Sequence, residues 1–226
     1  MNVLVFASRK GGSGKSTLAA HLASCANRPG NRALLIDADP QGSLALWHQL
    51  RGESAPALRR GTRGMAEALS AAKSEGAEWV FIDTPPNRSS AVADAIRLAT
   101  LVLIPARPSV FDLDAVRDTI ELARELHKPY AVVMNAAPAK RNGTESAIVT
   151  DARRVVEKMG APLWSGQITH RADFALALAV GEGAREFDAD SSAATEITQL
   201  WSAVNRSVKA INGAHKAAQG TRRMAA

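Results

Sequence analysis

Lys10-Gly11-Gly12-Ser13-Gly14-Lys15-Ser16-Thr17 stands directly after the apolar run Val3-Leu4-Val5-Phe6-Ala7. That run reads as a buried strand, and residues 15–26 carry helical spacing. A glycine-rich turn between a strand and a helix is the setting of a phosphate-binding loop. Glycines let the backbone turn tightly enough for its N–H groups to converge on phosphate oxygens. The helix beginning near Lys15 adds unpaired N–H groups and the positive end of its dipole. Lys15 is placed to reach the β- and γ-phosphates of a nucleoside triphosphate, and the Ser16 hydroxyl to ligate Mg²⁺. Lys10, Gly11, Gly12, Ser13, Gly14, Lys15, Ser16 and Thr17 are therefore the expected nucleotide-binding residues. A chance Gly-Lys-Ser in an ordinary turn would not bring the strand and the helix with it.

The alternation that begins there continues along the chain. Short apolar runs at residues 3–8, 33–37, 79–83, 101–106 and 131–135, with a weaker one at 162–164, read as strands buried on both faces. Helical stretches lie between and after them, at 65–74, 89–99, 113–127, 146–159, 172–179 and 193–211. This rhythm predicts an α/β fold of the P-loop NTPase kind, with a mostly parallel twisted sheet and helices on both faces. Arg28-Pro29-Gly30-Asn31 and Arg141-Asn142-Gly143 are turn signals, and residues 52–64 read as irregular and polar. There is no internal repeat or low-complexity linker. One domain is expected over residues 1–212, with a basic, flexible tail over 213–226.

Composition supports this. Hydrophobic residues make up 46% of the chain and aromatic ones only 4%, so the core should be aliphatic and helix-rich. Cys25 is the only cysteine, which excludes a disulfide framework or a cysteine metal cluster within one chain and fits a reducing cytoplasm. The first residues lack signal-peptide features and no apolar stretch reaches membrane-span length, so a cytosolic protein is expected. The formal charge is +6, and after Glu196 there are five basic residues and no acidic one. A basic end favours a polyanion such as DNA or an acidic membrane surface, although a solvated terminus has the same composition.

The loop departs from the general pattern, which would place glycine at position 9. Arg9 stands there, and Lys10 precedes the glycine pair. This is similar to the deviant Walker A motif of the ParA and MinD family of ATPases. The bulky residue before Lys10 resembles ParA proteins more than MinD or nitrogenase iron proteins. The resemblance implies that Lys10 reaches across an ATP-bound dimer to the partner's phosphates. Asp37-Ala38-Asp39-Pro40-Gln41 resembles the family's switch I, at the strand edge where ligands bind in such sheets. There Asp39 would orient the attacking water, while Asp37 would either meet the Mg²⁺ shell or hold the loop. Trp79-Val80-Phe81-Ile82-Asp83 is a Walker B pattern whose Asp83 can hold a Mg²⁺-bound water. The following Thr84-Pro85-Pro86 resembles switch II, and residues 104–113 match a family loop near the dimer interface. Asn135 closes a strand, where relatives use the amide to read adenine and where a plain strand-end cap would look the same. The likeness covers about residues 1–190.

The family implies ATP and Mg²⁺ as cofactors, a homodimer in the ATP state, and a separate ParB-like or cargo-adaptor protein that stimulates hydrolysis. Three targets compete. A nitrogenase-type role fails because it needs two cysteines per subunit. A MinD-like membrane-associated positioning ATPase needs bulky apolar residues opposite the lysines of a terminal helix, and the tail after Ile211 offers alanines and one methionine. No stable membrane association is therefore expected. Non-specific binding to double-stranded DNA, and with it nucleoid association, is the leading expectation. Arg171 is similar in position to a DNA-contacting arginine of ParA relatives. Arg206 and Lys209 share a helix face, and Arg185, Lys216, Arg222 and Arg223 are weaker candidates, each equally readable as a solvated charge. The chain opens on the first strand, so no upstream helix-turn-helix and no operator binding are expected, and the cargo itself is not written in these motifs.

Overall fold

The computed structural model describes residues 1–52, 55–61, 64–87 and 89–224. The strand that leads into the phosphate loop, β1 (Asn2–Phe6), lies inside a six-stranded sheet. It sits between β4 (Trp79–Asp83) and β5 (Leu101–Ala106). Beyond β4 come β2 (Ala33–Asp37) and the edge strand β3 (Ala57–Arg60), and beyond β5 comes β6 (Tyr130–Met134) at the other edge. The order is β3-β2-β4-β1-β5-β6 and every pairing is parallel, as the apolar runs predict.

Alternate residues of each strand feed two separate cores. Val3, Val5, Leu34, Ile36, Val80, Ile82, Val102 and Ile104 face one side. They are covered by α3 (Met65–Ser74), α4 (Ser90–Leu98), α5 (Val110–Glu125) and α6 (Ala147–Lys158). Leu4, Phe6, Leu35, Phe81, Leu101 and Leu103 face the other side. They are covered by α1 (Lys15–Ala26), α2 (Ser43–Arg51), α7 (Ala172–Ala179), α8 (Ala184–Phe187) and α9 (Ser192–Met224). A sheet buried on both faces needs continuous apolar strands, and β2, β4 and β5 are buried at every residue. All the β-to-α loops consequently open at the carboxyl edge, where the phosphate loop lies.

Three elements go beyond the expected set. Residues 52–64 contain β3, three of whose residues are partly buried and the last, Arg60, exposed, because the strand pairs on one side alone. Its apolar signal is correspondingly weak. Helix α2 follows Gly42, whose left-handed φ of 70° starts the turn, and α8 is a single turn of four residues. Helix α5 starts at Val110, three residues ahead of the expected start, because Ser109 accepts the Asp112 N–H and caps it. The backbone of α9 stays helical past residue 211 and through Gly213 to Met224, in a segment rich in helix-favouring alanine. Asn212 Nδ2 donates to Asn2 Oδ1 at 2.9 Å and pins α9 beside the start of β1. The two expected turns are present, closed by paired backbones at Arg28 with Asn31 and Arg141 with Thr144.

Candidate active site

Helix α1 begins without a side-chain cap and with no acidic residue in its first turn. Its leading N–H groups are thus left for an external anion. Gly14, at the helix start, has φ 99°. Any side chain there would also collide with Asn135, whose Nδ2 would stand 2.0 Å from the new Cβ. This close approach is functional in form: Asn135 Nδ2 donates to the Ser13 carbonyl at 2.6 Å in a buried hydrogen bond. Lys15 turns back over the loop, with Nζ 3.4 Å from the Lys10 carbonyl. Burial pulls its pKa down, while Asp83 and Asp39 pull the other way. Lys10 itself is exposed.

Two carboxylates stand side by side at the sheet edge. Asp37 and Asp83 are register partners on β2 and β4. Asp83 is fully buried, and burial drives its pKa up to about 7. Ser16 and Lys15 oppose the rise, and Asp37 and Asp39 add to it. Burial also raises the Asp37 carboxyl. Neither Asp83 oxygen completes a well-formed hydrogen bond, and Asp37 Oδ1 is buried and unpaired too. Such orphaned carboxylate oxygens beside a serine hydroxyl fit a hydrated divalent cation. Among the described residues no three acidic, His or Cys side chains converge to hold a metal alone, so ligands from a bound phosphate would have to complete the shell. Asp37 Oδ2 accepts the Ala45 N–H at 2.9 Å and anchors the start of α2, so Asp37 holds the switch segment with one oxygen. Asp39 is half-buried, and its Oδ1 accepts the Gln41 N–H at 3.0 Å.

The phosphate loop and Asp39 open into a cavity of about 570 Å³. Gly11, Gly12, Gly14, Lys15, Ser16, Thr17 and Asp39 line one part of it. Leu44, Trp47, Ile168, Phe174 and Leu178 give it an apolar wall, as a nucleotide cleft requires. Arg107 and Arg171 also line it. Arg171 Nη2 pairs with Glu196 Oε1 at 3.1 Å, and Glu196 Oε2 accepts the Thr169 N–H at 2.8 Å. Arg171 is thus committed to α9 at the cavity wall. Arg206 and Lys209 are exposed on α9, and Arg206 lies ten residues beyond Glu196, roughly 15 Å along the helix.

The CobQ/CobB/MinD/ParA nucleotide-binding domain matches residues 4–184. The chain belongs to that family. Among its relatives, the maintenance of carboxysome distribution protein A of Halothiobacillus neapolitanus is 29% identical over 203 residues, covering 87% of this chain and 93% of the relative. Protein ParA of Rhizobium radiobacter is 30% identical over 171 residues, covering 70% of this chain and 77% of that one. The solved Mg-ADP complex of the septum site-determining protein MinD from Pyrococcus horikoshii superposes with a TM-score of 0.72 at 15% identity, covering 93% of this chain and 98% of that structure.

In this ParA/MinD-family chain further contacts tie the motif residues to the rest of the fold. Arg9 of the phosphate loop pairs with Asp118 of α5. Thr84 Oγ1 donates to the Phe6 carbonyl at 2.8 Å and ties switch II to the end of β1. Arg107 belongs to the stretch 104–113 that resembles a family loop, whereas Glu196 of α9 carries no motif signature and reaches the site through Thr169 and Arg171. No helix among the described residues is long and apolar enough to cross a membrane.

Proposed function

We propose that the chain is an ATP-hydrolysing positioning switch that dimerises on ATP–Mg²⁺, coats DNA without sequence preference, and moves a plasmid, chromosome or protein cargo. The observation that carries this reading is a cavity lined by the phosphate loop and Asp39, with the orphaned Asp37 and Asp83 carboxylates paired in register at the carboxyl edge of the same sheet. The relatives' names speak of carboxysome distribution and of ParA, which supports positioning as the task.

In this reading the loop N–H groups and Lys15 hold the triphosphate, Ser16 and Asp83 hold Mg²⁺, and Lys10 serves the partner subunit's nucleotide. Mg²⁺ supplies positive charge against the β- and γ-phosphates. Asp39 orients a water whose oxygen bonds to the γ-phosphorus as the bond to the β–γ bridging oxygen breaks, giving ADP and phosphate. Asn135 keeps the loop in shape through the Ser13 carbonyl, and in this reading its amide also meets the adenine. An adaptor of the ParB kind triggers the step. Arg206 and Lys209 are exposed cations available to DNA phosphates, and Arg171 would join them only by leaving Glu196.

The test is binding to random-sequence duplex DNA with ATP–Mg²⁺, with ADP and without nucleotide, across a salt titration. Binding with ATP alone that falls steeply with salt is expected. Absence of binding in every nucleotide state would refute the DNA-tethered form and direct the same assay to anionic liposomes.

A further inference from the structure

Arg107 stands out among the basic residues of the cavity. It sits between Ala106 and Pro108, which are both buried, while Arg107 itself is exposed. Its backbone is fixed on every side. The Ala106 carbonyl accepts the Asn135 N–H at 2.8 Å, the Arg107 carbonyl accepts the Ser109 N–H at 2.8 Å, and the proline that follows restricts Arg107 to extended conformations. The side chain crosses to the phosphate loop, where Nη2 lies 3.5 Å from the position a Cβ on Gly12 would occupy.

The arginines near it are neutralised. Arg9 pairs with Asp118, and Arg171 pairs with Glu196. Among the described residues the Arg107 guanidinium meets no carboxylate and makes no hydrogen bond. A cation held over a loop built for phosphates, with its backbone locked and its donors unused, is preorganised for an anion. Lys15 and Arg107 both line that space. The guanidinium fork suits two oxygens of one phosphoryl group.

We infer that Arg107 is a second phosphate-binding residue, acting in cis on the terminal phosphoryl group of a nucleoside triphosphate bound in its own loop, and that it sets the preference for triphosphate over diphosphate. This rests on the nucleotide-site reading above. Because the loop that carries Arg107 runs straight into α5 through the Ser109 cap, the same contact links the presence of the terminal phosphate to the position of α5.

The experiment measures affinity for ATP, a non-hydrolysable ATP analogue and ADP, each with Mg²⁺, in the full chain, R107A, R107K and K15A. R107A should weaken triphosphate binding by roughly ten- to a hundredfold, the span of a lost charged hydrogen bond, and move ADP much less. R107K, which keeps the charge and loses the fork, should fall between. The melting temperature without nucleotide should be unchanged in R107A, since the guanidinium holds nothing in the protein itself. Equal affinities in R107A and the unaltered chain would overturn the inference while leaving the nucleotide site intact. An equal loss of ATP and ADP would overturn it in favour of a role in loop shape. Failure of the unaltered chain to bind any nucleotide, with K15A indistinguishable from it, would overturn the site and the inference together.

Discussion

Replacing Asp83 by asparagine should stabilise the nucleotide-free protein while destroying its use of Mg²⁺. The carboxyl is fully buried, both oxygens lack a completed hydrogen bond, and its pKa stands at about 7 against an ordinary value of 3.8. The native state therefore holds a proton there more tightly than the unfolded chain does. With that sign, the Asp83 contribution to stability falls as pH rises between 3.8 and about 7, and the loss is complete above 7. Integrating over that window gives a cost of about 4 kcal/mol at pH 8 and about 2 kcal/mol at pH 5. An isosteric neutral amide removes the ionisation. Urea denaturation of D83N beside the unaltered chain, without nucleotide, should show the variant more stable by a few kcal/mol at pH 8, with the advantage shrinking towards pH 5. His21 is also buried and its pKa is pushed down to about 4, so its own stability contribution is lost as pH falls below 6.5, but that term is common to both proteins and cancels. Mg²⁺-dependent nucleotide affinity should disappear in D83N. In the unaltered chain it should rise with pH through 7, as the cation displaces the proton. A destabilised D83N, or a gain independent of pH, would refute the claim that the site stores an uncompensated carboxylate.

Asp39→Ala should bind ATP with near-native affinity yet lose hydrolysis, leaving a persistent dimer by size exclusion; turnover at the native rate would remove Asp39 from the reaction. Lys10→Ala should leave ATP binding by the monomer largely intact, because the side chain is exposed, but abolish ATP-dependent dimerisation in sedimentation velocity. Asn135→Ala breaks the 2.6 Å hydrogen bond to the buried Ser13 carbonyl and should destabilise the fold by about 1–3 kcal/mol in urea denaturation.

Much of this fold is written in local pattern. Strands buried on both faces must be apolar at successive residues, and β2, β4 and β5 are buried throughout, so their runs stand out from the amphipathic helices between them. The phosphate loop is legible for a different reason: glycine at a tight, positive-φ turn and lysine at the helix start have few alternative uses in that order. Elements with small apolar faces are harder to see. Strand β3 pairs on one side, and α8 has four residues, so neither builds a periodic signal.

The contacts among these site residues, unlike most of the residues themselves, escape sequence reading for a topological reason. Asn135 and Ser13 are 122 positions apart, and Arg171 and Glu196 are 25 apart. Parallel strands alone place every β-to-α loop at the same edge without saying which loops are neighbours. Strand order supplies that. With β1 between β4 and β5, the loop after β1 meets switch II on one side and the Arg107 turn on the other. With β6 next to β5, Asn135 reaches past that turn to the phosphate loop. Register completes the picture: five consecutive pairings from Ala33–Trp79 to Asp37–Asp83 bring two carboxylates to the same height. Neither residue's own strand would announce that juxtaposition. It makes the empty site electrostatically costly and a divalent cation its natural counter-charge. The destabilisation predicted for ionised Asp83 and the affinity expected for Mg²⁺ are thus two readings of the same burial.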